Sequence, residues 1–535
     1  MPSEYKGLHN NTAPQWWRDP CLRRNVVWVA LCALCTVYGG FDGSLFGGLQ
    51  AVPKWFEQFP ALKNPDTLGL INACGAFPNL IMPLVGSWMG DRFGRRLPNI
   101  IAVIGVIAFA IMQAFSNTLG MWAAARVLIT TFSALSAPTG PALLVELAHP
   151  RYRSTASALN MSGWYVGSII GGWAGYGAYM NYRESHWSWR LPCLIQFVIP
   201  TFVLVGFILI PESPRWLISK GRLEEARKVL AREHANGDEN DPLVNFEMDE
   251  IQQALVEEKA INSGAGSWFS LFKTPGNRKR LFIMLHVVIG AQWCGNGVIG
   301  YYFVPVLKSV GITSASQQLL LNSGMNIWNL FLAGGAALTI ERFGRRPLFL
   351  ASTTGMLISM VVITGCSAAF SKTGNSSAGI AVVAFLFLFN GSYDIAMTPM
   401  NVAYNVEIFV SPRPSSQPHV ATDASSHPQP FAIRSKGMGV WQVTQAVFII
   451  YNSYVNPIAL SKIHYWYYLV YVGILIYLTI IIYLFFPETK GLTLEEVAVK
   501  FDGPQMGELI HSQEKAEIQH IDDAESDDGK QVTAK

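Results

Sequence analysis

The sequence predicts an all-α membrane protein with twelve transmembrane helices, six in each half of the chain. Half of the 535 residues are apolar and 14% are charged, whereas a soluble domain carries about 25% charged residues. The apolar residues are grouped in windows of about twenty, the length that an α-helix needs to cross a bilayer. A basic segment, residues 90–96, is repeated 250 residues later around Phe343-Gly344-Arg345-Arg346, which indicates two related halves.

The apolar windows give the boundaries of the predicted spans. They fall at 26–49, 67–89, 97–116, 120–143, 156–180 and 191–210, and again at 280–306, 316–340, 347–370, 378–405, 433–458 and 465–486. The chain is therefore divided into an N-terminal segment (1–25), a first six-helix region (26–210), a linker (211–279), a second six-helix region (280–486) and a tail (487–535). Opposed charges at helical spacing predict short helices in the linker. The end of the tail, 502–535, is acidic and poor in apolar residues, so we expect it to be disordered.

Positive charge predicts the orientation of the spans. Arginines follow spans 2, 4 and 8, whereas the loop 117–119 has no basic residue and the loop 371–377 has only Lys372. By the positive-inside rule, both termini and the linker are cytoplasmic. The net charge of +3 is too small to indicate a nucleic-acid-binding protein. The seven cysteines lack the spacing of metal ligands. We therefore expect no metal, no cofactor and no nucleic-acid partner, and a protein that acts as a monomer in the lipid bilayer.

One segment of the second half does not fit the repeat. Glu146 is followed by Arg153 seven residues later, but the matching Glu407 is followed by Arg434 only after 27 residues. Removing the Pro- and Ser-rich residues 410–429 restores the spacing. Val410-Ser411 and Gln429 can be encoded by splice-site sequences, so one hypothesis is an in-frame retained intron. The alternative is a genuine cytoplasmic loop insertion, and the sequence leaves both open.

The repeated segments and several further motifs resemble the sugar porter family of the major facilitator superfamily, over residues 26–500. Gln292-Trp293-Cys294-Gly295-Asn296-Gly297, Tyr301-Tyr302 and Tyr393-Asp394-Ile395-Ala396 are similar to the fungal lactose-permease-type branch, which is related to the hexose carriers. The resemblance implies two six-helix bundles that hold the substrate near mid-membrane, and a location in a fungal plasma membrane. The motifs also include Gly90–Arg96, Arg126, Glu146 with Arg153, Pro211–Arg215, Glu341–Arg346, Glu407 with Arg434, and Pro487-Glu488-Thr489.

The repeated basic segments, residues 90–96 and 341–346, are called here the hairpins, and they predict a cytoplasmic gate. Acidic residues lie near the arginines in both halves, and ion pairs between them would close the cytoplasmic side while the site faces outward. Alternatively, the arginines only satisfy the positive-inside rule, but that rule requires no fixed acidic partners. The predicted gate residues are Asp91, Arg92, Arg95, Arg96, Glu146, Arg153, Glu212, Glu341, Arg342, Arg345, Arg346, Glu407 and Arg434.

Ionisable residues inside spans are costly and therefore mark functional sites. Asp42 lies in span 1, Arg126 in span 4 and Asp394 in span 10. Proton-coupled members of the resembled family carry an aspartate at the position of Asp42, near an arginine that matches Arg126. A neighbouring guanidinium stabilises a carboxylate and dehydration favours the acid, so a small rearrangement can load or release a proton. The alternative is a fixed structural ion pair. For Asp394, an interface position and a second polar contact to substrate both stay open.

A sugar site needs paired hydrogen bonds and an apolar face. Gln292 and Asn296 share one face of span 7, and Trp293 stands where hexose carriers usually have a second glutamine, which favours a disaccharide or glycoside. Interhelical hydrogen bonding is the alternative role of such amides. The predicted sugar-binding residues are Gln292, Trp293, Asn296, Asn160, Trp164, Asn322 and Tyr301.

Together these features predict a proton-coupled sugar symporter that imports a disaccharide or monosaccharide by alternating access. The protein is predicted not to be an enzyme, because no nucleophile or His/Cys/Asp cluster stands out in the sequence. Two alternatives stay open. In a facilitative uniporter, Asp42 would be structural only. A non-transporting sugar sensor would need a longer tail than the one this chain has.

Overall fold

The computed structural model describes residues 10–13, 15–263, 269–409, 430–492 and 494–502, and these residues form helices joined by short loops. The first half contains α1 Pro20–Leu49, α2 Pro53–Gln58, α3 Pro65–Ala76, α4 Pro78–Phe93, α5 Arg96–Ala114, α6 Leu119–Ser136, α7 Thr139–Leu147, α8 Arg153–Asn181, α9 Trp187–Ile195 and α10 Val198–Leu209. The linker contains α11 Pro214–Ser219, α12 Leu223–His234, α13 Pro242–Ser263 and α14 Ser270–Lys273. The second half contains α15 Pro275–Gln292, α16 Asn296–Ser309, α17 Ala315–Phe343, α18 Arg345–Thr373, α19 Ser376–Ile408, α20 Pro430–Ile463 and α21 Trp466–Phe485, followed by α22 Leu494–Asp502.

These helices form twelve spans, as the sequence predicted. Spans 2, 4, 6 and 7 each consist of two consecutive helices: α3 with α4, α6 with α7, α9 with α10, and α15 with α16. Within the described part of the chain, nine helical segments are long and apolar enough to cross a membrane. The more polar α8, α17 and α20, each at least 29 residues long, complete the twelve.

The helix pair α1 and α8 is packed unusually closely, because glycines meet at the crossing. A Cβ atom added to Gly40 would lie 1.9 Å from the carbonyl oxygen of Trp164, and one added to Gly167 would lie 1.8 Å from that of Val37. Real Cβ contacts are never this short, so only glycine permits this approach. Asp42 lies two residues beyond Gly40 on α1, next to this crossing.

The linker helices have a small apolar core of their own. Leu217, Leu230, Val244 and Met248 are buried together there. The chain segment before α1 lies against these helices, because the side-chain amide of Asn11 donates to the Ala235 carbonyl at 2.8 Å. The predicted insert 410–429 and most of the predicted tail, 503–535, lie outside the described residues.

Two ends of the molecule can be distinguished. The end that carries the arginines of both hairpins is called here the basic end, and the other is called the opposite end. Spans 1 and 7 begin at the basic end. Gln50, which follows α1, and Ser309, the last residue of α16, therefore lie at the opposite end. This distinction positions the contacts between the halves.

Candidate functional site

The intramembrane ion pair that the sequence suggested is present in the first half. Arg126 Nη1 lies 2.6 Å from Asp42 Oδ1, and its guanidinium lies over the Phe46 ring, 5.0 Å from the centroid. Gln196 Nε2 donates to the same carboxylate oxygen at 2.8 Å. The Asp42 and Arg126 side chains are 18% and 10% exposed. The carboxylate is therefore held by two donors from spans 4 and 6 while it keeps some access to solvent.

Span 7 is broken where three predicted sugar-binding residues lie. Gly295 adopts φ +107°, a left-handed conformation that ends α15 and starts α16 at Asn296. Any other residue would be strained there, and a Cβ atom would meet Met360 at 2.6 Å. The break exposes backbone and amide groups of Gln292 and Asn296 within the membrane-spanning region. Such broken spans line substrate sites in transporters, because the freed backbone groups need polar partners.

Span 11 packs against this break and supplies an aromatic wall. The Trp293 ring is 4.3 Å from the Phe448 ring and 5.0 Å from the Tyr451 ring, centroid to centroid. The Asn452 side-chain amide donates to the Gln292 carbonyl oxygen. The indole N–H of Trp293 is buried and has no hydrogen-bond partner among the described residues. An unpaired buried donor is costly, so this N–H is available to a sugar hydroxyl.

The remaining predicted sugar-binding residues are spread over both halves. Asn160 accepts a hydrogen bond from Thr36 at 2.9 Å, and Trp164 lies half-exposed against the glycines of α1. Both therefore contact α1 of their own half. Asn322 of α17 has a buried amide nitrogen with no partner in the described part of the chain. Tyr301 lies farther towards the opposite end, where its carbonyl accepts from Gln50 Nε2 at 2.8 Å.

The two halves are joined by hydrogen bonds near the opposite end. Asn72 of α3 donates to the Tyr302 hydroxyl at 3.0 Å, and that hydroxyl donates to the Ser453 carbonyl at 2.6 Å. Deeper in the membrane, Asn326 Nδ2 donates to Ser44 Oγ and to the Ser168 carbonyl, both at 3.2 Å. These contacts close the opposite end above the span 7 break.

A cavity of about 940 Å³ lies outside this closure, between α1–α3 of the first half and α16, α17 and α20 of the second. Its wall includes Gln50, Phe56, Lys63, Lys308 and His464. None of the seven predicted sugar-binding residues is among its lining residues. The cavity is therefore a vestibule at the opposite end and is separate from the candidate sugar site.

At the basic end, the two hairpins share one hydrogen-bonding arrangement. Glu212, which follows span 6, accepts from the backbone N–H of Arg95 at 2.9 Å, and Glu488, which follows span 12, accepts from that of Arg345 at 2.9 Å. Burial raises the pKa of Glu488, but hydrogen bonds from the N–H groups of Arg345, Lys490 and Arg346 outweigh it and hold the pKa below its usual value. A carboxylate at a helix N-terminus is stabilised in this way. The sequence analysis had assigned Glu212 to arginine side chains; the structure places it on backbone N–H groups.

The side chains of the hairpin arginines pair within one half. Arg345 Nη2 lies 2.8 Å from Glu407 Oε1, and Arg95 lies 2.9 Å from Asp91 and 3.5 Å from Glu146. The predicted lock between the halves stays a prediction, since these ion pairs join residues of the same half. Three further predicted gate residues lie outside the expected pairs. Arg92 stacks over Trp88 and Phe93, Arg153 reaches Glu247 of α13 at 3.3 Å, and Arg342 is exposed.

The remaining predicted gate residues are Arg96, Arg346, Glu341 and Arg434. Arg96 donates to the carbonyl oxygens of Phe207 and Ile208, and Arg346 donates to that of Tyr483. The second arginine of each hairpin therefore satisfies carbonyl groups at the end of span 6 or span 12. The side chains of Glu341 and Arg434 lie outside the described residues.

Several site residues were missed by the sequence analysis. Gln196, Asn326, Asn452 and Tyr165 hold the ion pair, join the halves or support the span 7 break. Each is a polar residue inside an apolar window, and that is the signal that could have identified them. The signal is weak because it does not say which neighbour a side chain meets.

Comparisons with known proteins agree with this geometry. A profile of the family described as "Sugar (and other) transporter" matches residues 28–501. The "MFS glucose transporter mfs1" of Aspergillus flavus is 27% identical over 501 residues, which cover 88% of this chain and 89% of the relative. The "Low-affinity glucose transporter" of Kluyveromyces lactis is 26% identical over 496 residues, which cover 89% of this chain and 82% of the relative.

Solved structures show the same fold. The inward open conformation of the xylose transporter XylE from Escherichia coli has a TM-score of 0.71 at 20% identity, covering 89% of this chain and 100% of that one. The proton:xylose symporter XylE bound to 6-bromo-6-deoxy-D-glucose has a TM-score of 0.67 at 21% identity, covering 89% and 99%. The matched relatives are transporters and not enzymes, as predicted. The chain belongs to the sugar transporter family of the major facilitator superfamily.

Proposed function

We propose that this transporter imports a sugar together with protons across a fungal plasma membrane, by alternating access. The relatives named above are fungal glucose transporters, and a structural neighbour is a proton:xylose symporter. The basic end, with both termini, faces the cytoplasm, because lysine and arginine are retained on that side of a membrane.

The observation that carries the proposal is the ion pair between Asp42 and Arg126. The pair is mostly buried yet not sealed, and Gln196 is a third, neutral partner of the same carboxylate oxygen. A buried ion pair adds little net stability by itself, since desolvation offsets the attraction. A carboxylate that keeps solvent access and can exchange a guanidinium contact for a proton is suited to coupling.

The sugar is proposed to bind between this pair and the span 7 break. Gln292 and Asn296 supply amide groups, the Trp293 indole supplies an apolar face and an unpaired donor, and Asn322 supplies an unpaired amide. Asn160, Trp164 and Tyr301 complete the predicted set from the first half and from the closed end. Because the set spans both halves, a bound sugar bridges them, which is what links binding to rocking of the bundles.

The experiment is uptake of labelled glucose, xylose, lactose and cellobiose by transporter-null yeast, with and without a proton uncoupler. We expect concentrative uptake of at least one sugar, which is lost on adding the uncoupler and lost in Asp42→Asn. Exchange of labelled for unlabelled sugar, with equal sugar concentrations on both sides of the membrane, should persist in that variant. Uncoupler-insensitive uptake by wild type and Asp42→Asn alike would contradict proton coupling and leave a uniporter. No uptake of any sugar with the protein at the cell surface would favour a sensor.

A further inference from the structure

Asp394 is the third ionisable residue within the spans, and the ion pair described above does not involve it. It lies in the middle of α19 with 1% of its surface exposed. Its Oδ1 atom accepts two short hydrogen bonds, from the Tyr165 hydroxyl at 2.6 Å and from the Thr398 hydroxyl at 2.6 Å. The two hydroxyls are 3.1 Å apart. Oδ1 is therefore fully occupied by donors.

One of these hydrogen bonds crosses between the halves. Tyr165 belongs to α8 of the first half, twelve residues from its start at the basic end, which is about 18 Å along the helix axis. The other cross-half bonds, such as those of Asn326 and Tyr302, lie closer to the opposite end. The Tyr165–Asp394 bond is thus the hydrogen bond between the halves that lies closest to the basic end among those found in the described residues.

The surroundings of Asp394 are neutral. The titratable groups that face it are phenols, Tyr165 from α8 and Tyr393 from α19, and the latter donates to the Ala291 carbonyl of α15 at 3.0 Å. The partners that reach the carboxyl from α17 and α19 are an amide and a hydroxyl. In contrast to Asp42, whose partner is a guanidinium, Asp394 carries its charge against hydrogen-bond donors alone. Such a carboxylate is expensive to keep ionised in a dry interior.

The second carboxyl oxygen of Asp394, Oδ2, faces an amide that can hydrogen-bond with either the ionised or the protonated carboxyl. With its amide nitrogen turned towards Asp394, Asn329 donates to Oδ2 at 3.2 Å and to the Met325 carbonyl at 3.2 Å. Turned by 180°, the same amide presents its carbonyl oxygen to Oδ2 and can accept from a protonated acid. The first orientation stabilises the carboxylate and the second stabilises the acid.

We propose that Asp394 is a second proton-binding site of this transporter, placed on the contact between its halves. The proton binds Oδ2, where the new O–H donates to Asn329, and it leaves to water as the amide turns back. With the proton bound, Oδ1 becomes a neutral acceptor and its bond from Tyr165 weakens, because charge-assisted hydrogen bonds are about twice as strong as neutral ones. Protonation therefore loosens the tie between the halves. The role in the transport cycle rests on the proposed proton-coupled function, whereas proton binding itself does not.

The experiment is infrared difference spectroscopy of the purified full-length protein in liposomes, recorded as the pH is stepped without sugar. A protonated membrane carboxyl gives a C=O stretching band that ionised carboxylates lack. We expect a band that titrates in wild type and in Asp42→Asn and is absent in Asp394→Asn, whereas a band from Asp42 would persist in Asp394→Asn. In Tyr165→Phe the Asp394 band should titrate at proton concentrations about tenfold lower than in wild type, since the variant loses a hydrogen bond that favours the carboxylate over the acid. Tyr393→Phe, which loses a bond within the second half, is the matched control and should leave the band in place.

The proposal is overturned if every band that titrates in wild type persists in Asp394→Asn, or if Tyr165→Phe shifts none of the titrating bands. If Asp394→Asn instead only weakened binding of xylose or glucose, Asp394 would be a sugar contact, which also overturns it. Failure of the proposed function would look different. Uncoupler-insensitive uptake would exclude symport and leave the band of Asp394 intact, so the two results are read separately.

Discussion

The side-chain amide of Asn72 donates to the Tyr302 hydroxyl at 3.0 Å, so one hydrogen bond joins span 2 of the first half to span 7 of the second. Tyr302 is fully buried and has non-helical φ and ψ angles of −127° and 30°. This local irregularity in α16 turns the ring towards span 2. Close by, a Cβ atom on Gly69 would lie 2.7 Å from the Tyr454 carbonyl, so the closure at the opposite end depends on a tight fit of spans 2 and 11.

Asn72→Ala is expected to open this end. It removes the cross-half bond and leaves the bond from Tyr302 to Ser453 within the second half, a loss of about 1 kcal/mol that shifts the opening equilibrium about fivefold. A reporter cysteine at Leu319, which is 1% exposed and packs near Gly48 and Gly175 of the first half, should react about five times faster with an impermeant maleimide.

Tyr404→Phe provides the control for this labelling experiment. Its hydroxyl donates to the Pro487 carbonyl at 2.9 Å, within the second half and near the basic end. It loses one hydrogen bond of similar length without touching the boundary between the halves. Equal acceleration in both variants would indicate general loosening and not opening at Asn72.

Gly167→Ala should prevent α1 and α8 from packing. The added methyl group would lie 1.8 Å from the Val37 carbonyl, and backbone cannot move aside as a flexible side chain can. We expect a destabilisation of about 3 kcal/mol or more and a large loss of folded, monodisperse protein on size-exclusion chromatography. Gly177→Ala in the same helix has nothing within 4 Å of the new methyl group and should fold like wild type. Comparable loss in both variants would mean that the α1–α8 crossing is not responsible, since alanine by itself favours a helix more than glycine does.

His149 and His234 predict a pH dependence of the linker region. Their rings lie 5.2 Å apart. Burial lowers the pKa of His149 to about 3, with His234 and two nearby arginines adding to the effect. Burial alone would also lower the pKa of His234, but the Glu247 carboxylate at 2.6 Å outweighs it and raises that pKa.

The two pKa shifts affect the stability of the folded chain on opposite sides of neutral pH. The unfolded chain protonates His149 near pH 6.5 and the folded chain does not, so its contribution is complete above pH 6.5 and is lost as the pH falls, by about 1.4 kcal/mol per unit. The contribution of His234 is complete below pH 6.5 and is lost as the pH rises through its raised pKa. Hydrogen exchange of α12, corrected for intrinsic rate, should therefore accelerate at both extremes.

His149→Asn tests the acid side of this prediction. The asparagine oxygen can still accept from the backbone N–H of Arg151, as His149 Nδ1 does at 3.2 Å. Between pH 7 and pH 5 the variant should lose about 2 kcal/mol less protection than wild type. An identical acid slope in the two proteins would show that His149 is not the titrating group.

The sequence predicted the elements of this fold better than their partners. Apolar windows identified all twelve spans, because length and hydropathy are local properties of the chain. The Asp42–Arg126 pair was also expected, because the resemblance to the family places such an arginine near the aspartate. The backbone partners of Glu212 and Glu488 were not found. Residue types show which charges exist, but whether a carboxylate meets a guanidinium or a helix N-terminus depends on where span 6 or span 12 ends.

Contacts between the halves were the hardest to predict. Asn72, Asn326 and Tyr165 are single polar residues without a repeating pattern, and their partners lie more than 200 residues away or on another span. Their meeting depends on the rotation of each helix and on how the bundles dock. The positive φ of Gly295 was also not predictable, because a glycine in the sequence does not say which backbone conformation it adopts.

Glu407→Gln should destabilise the second half far more than Asp91→Asn destabilises the first. Glu407 accepts from Arg345 at 2.8 Å and from the Thr489 hydroxyl at 2.7 Å, and both charged side chains are less than a third exposed. Its neutralisation should cost about 1–2 kcal/mol. Asp91 is 76% exposed and pairs with Arg95 on a solvated surface, where such pairs contribute less than about 0.5 kcal/mol. Reversible unfolding of the two variants in mixed micelles measures this difference. Equal losses would mean that the two hairpins, despite their shared sequence, are held by something other than these side-chain pairs, and the backbone bonds of Glu212 and Glu488 would then be the groups to replace.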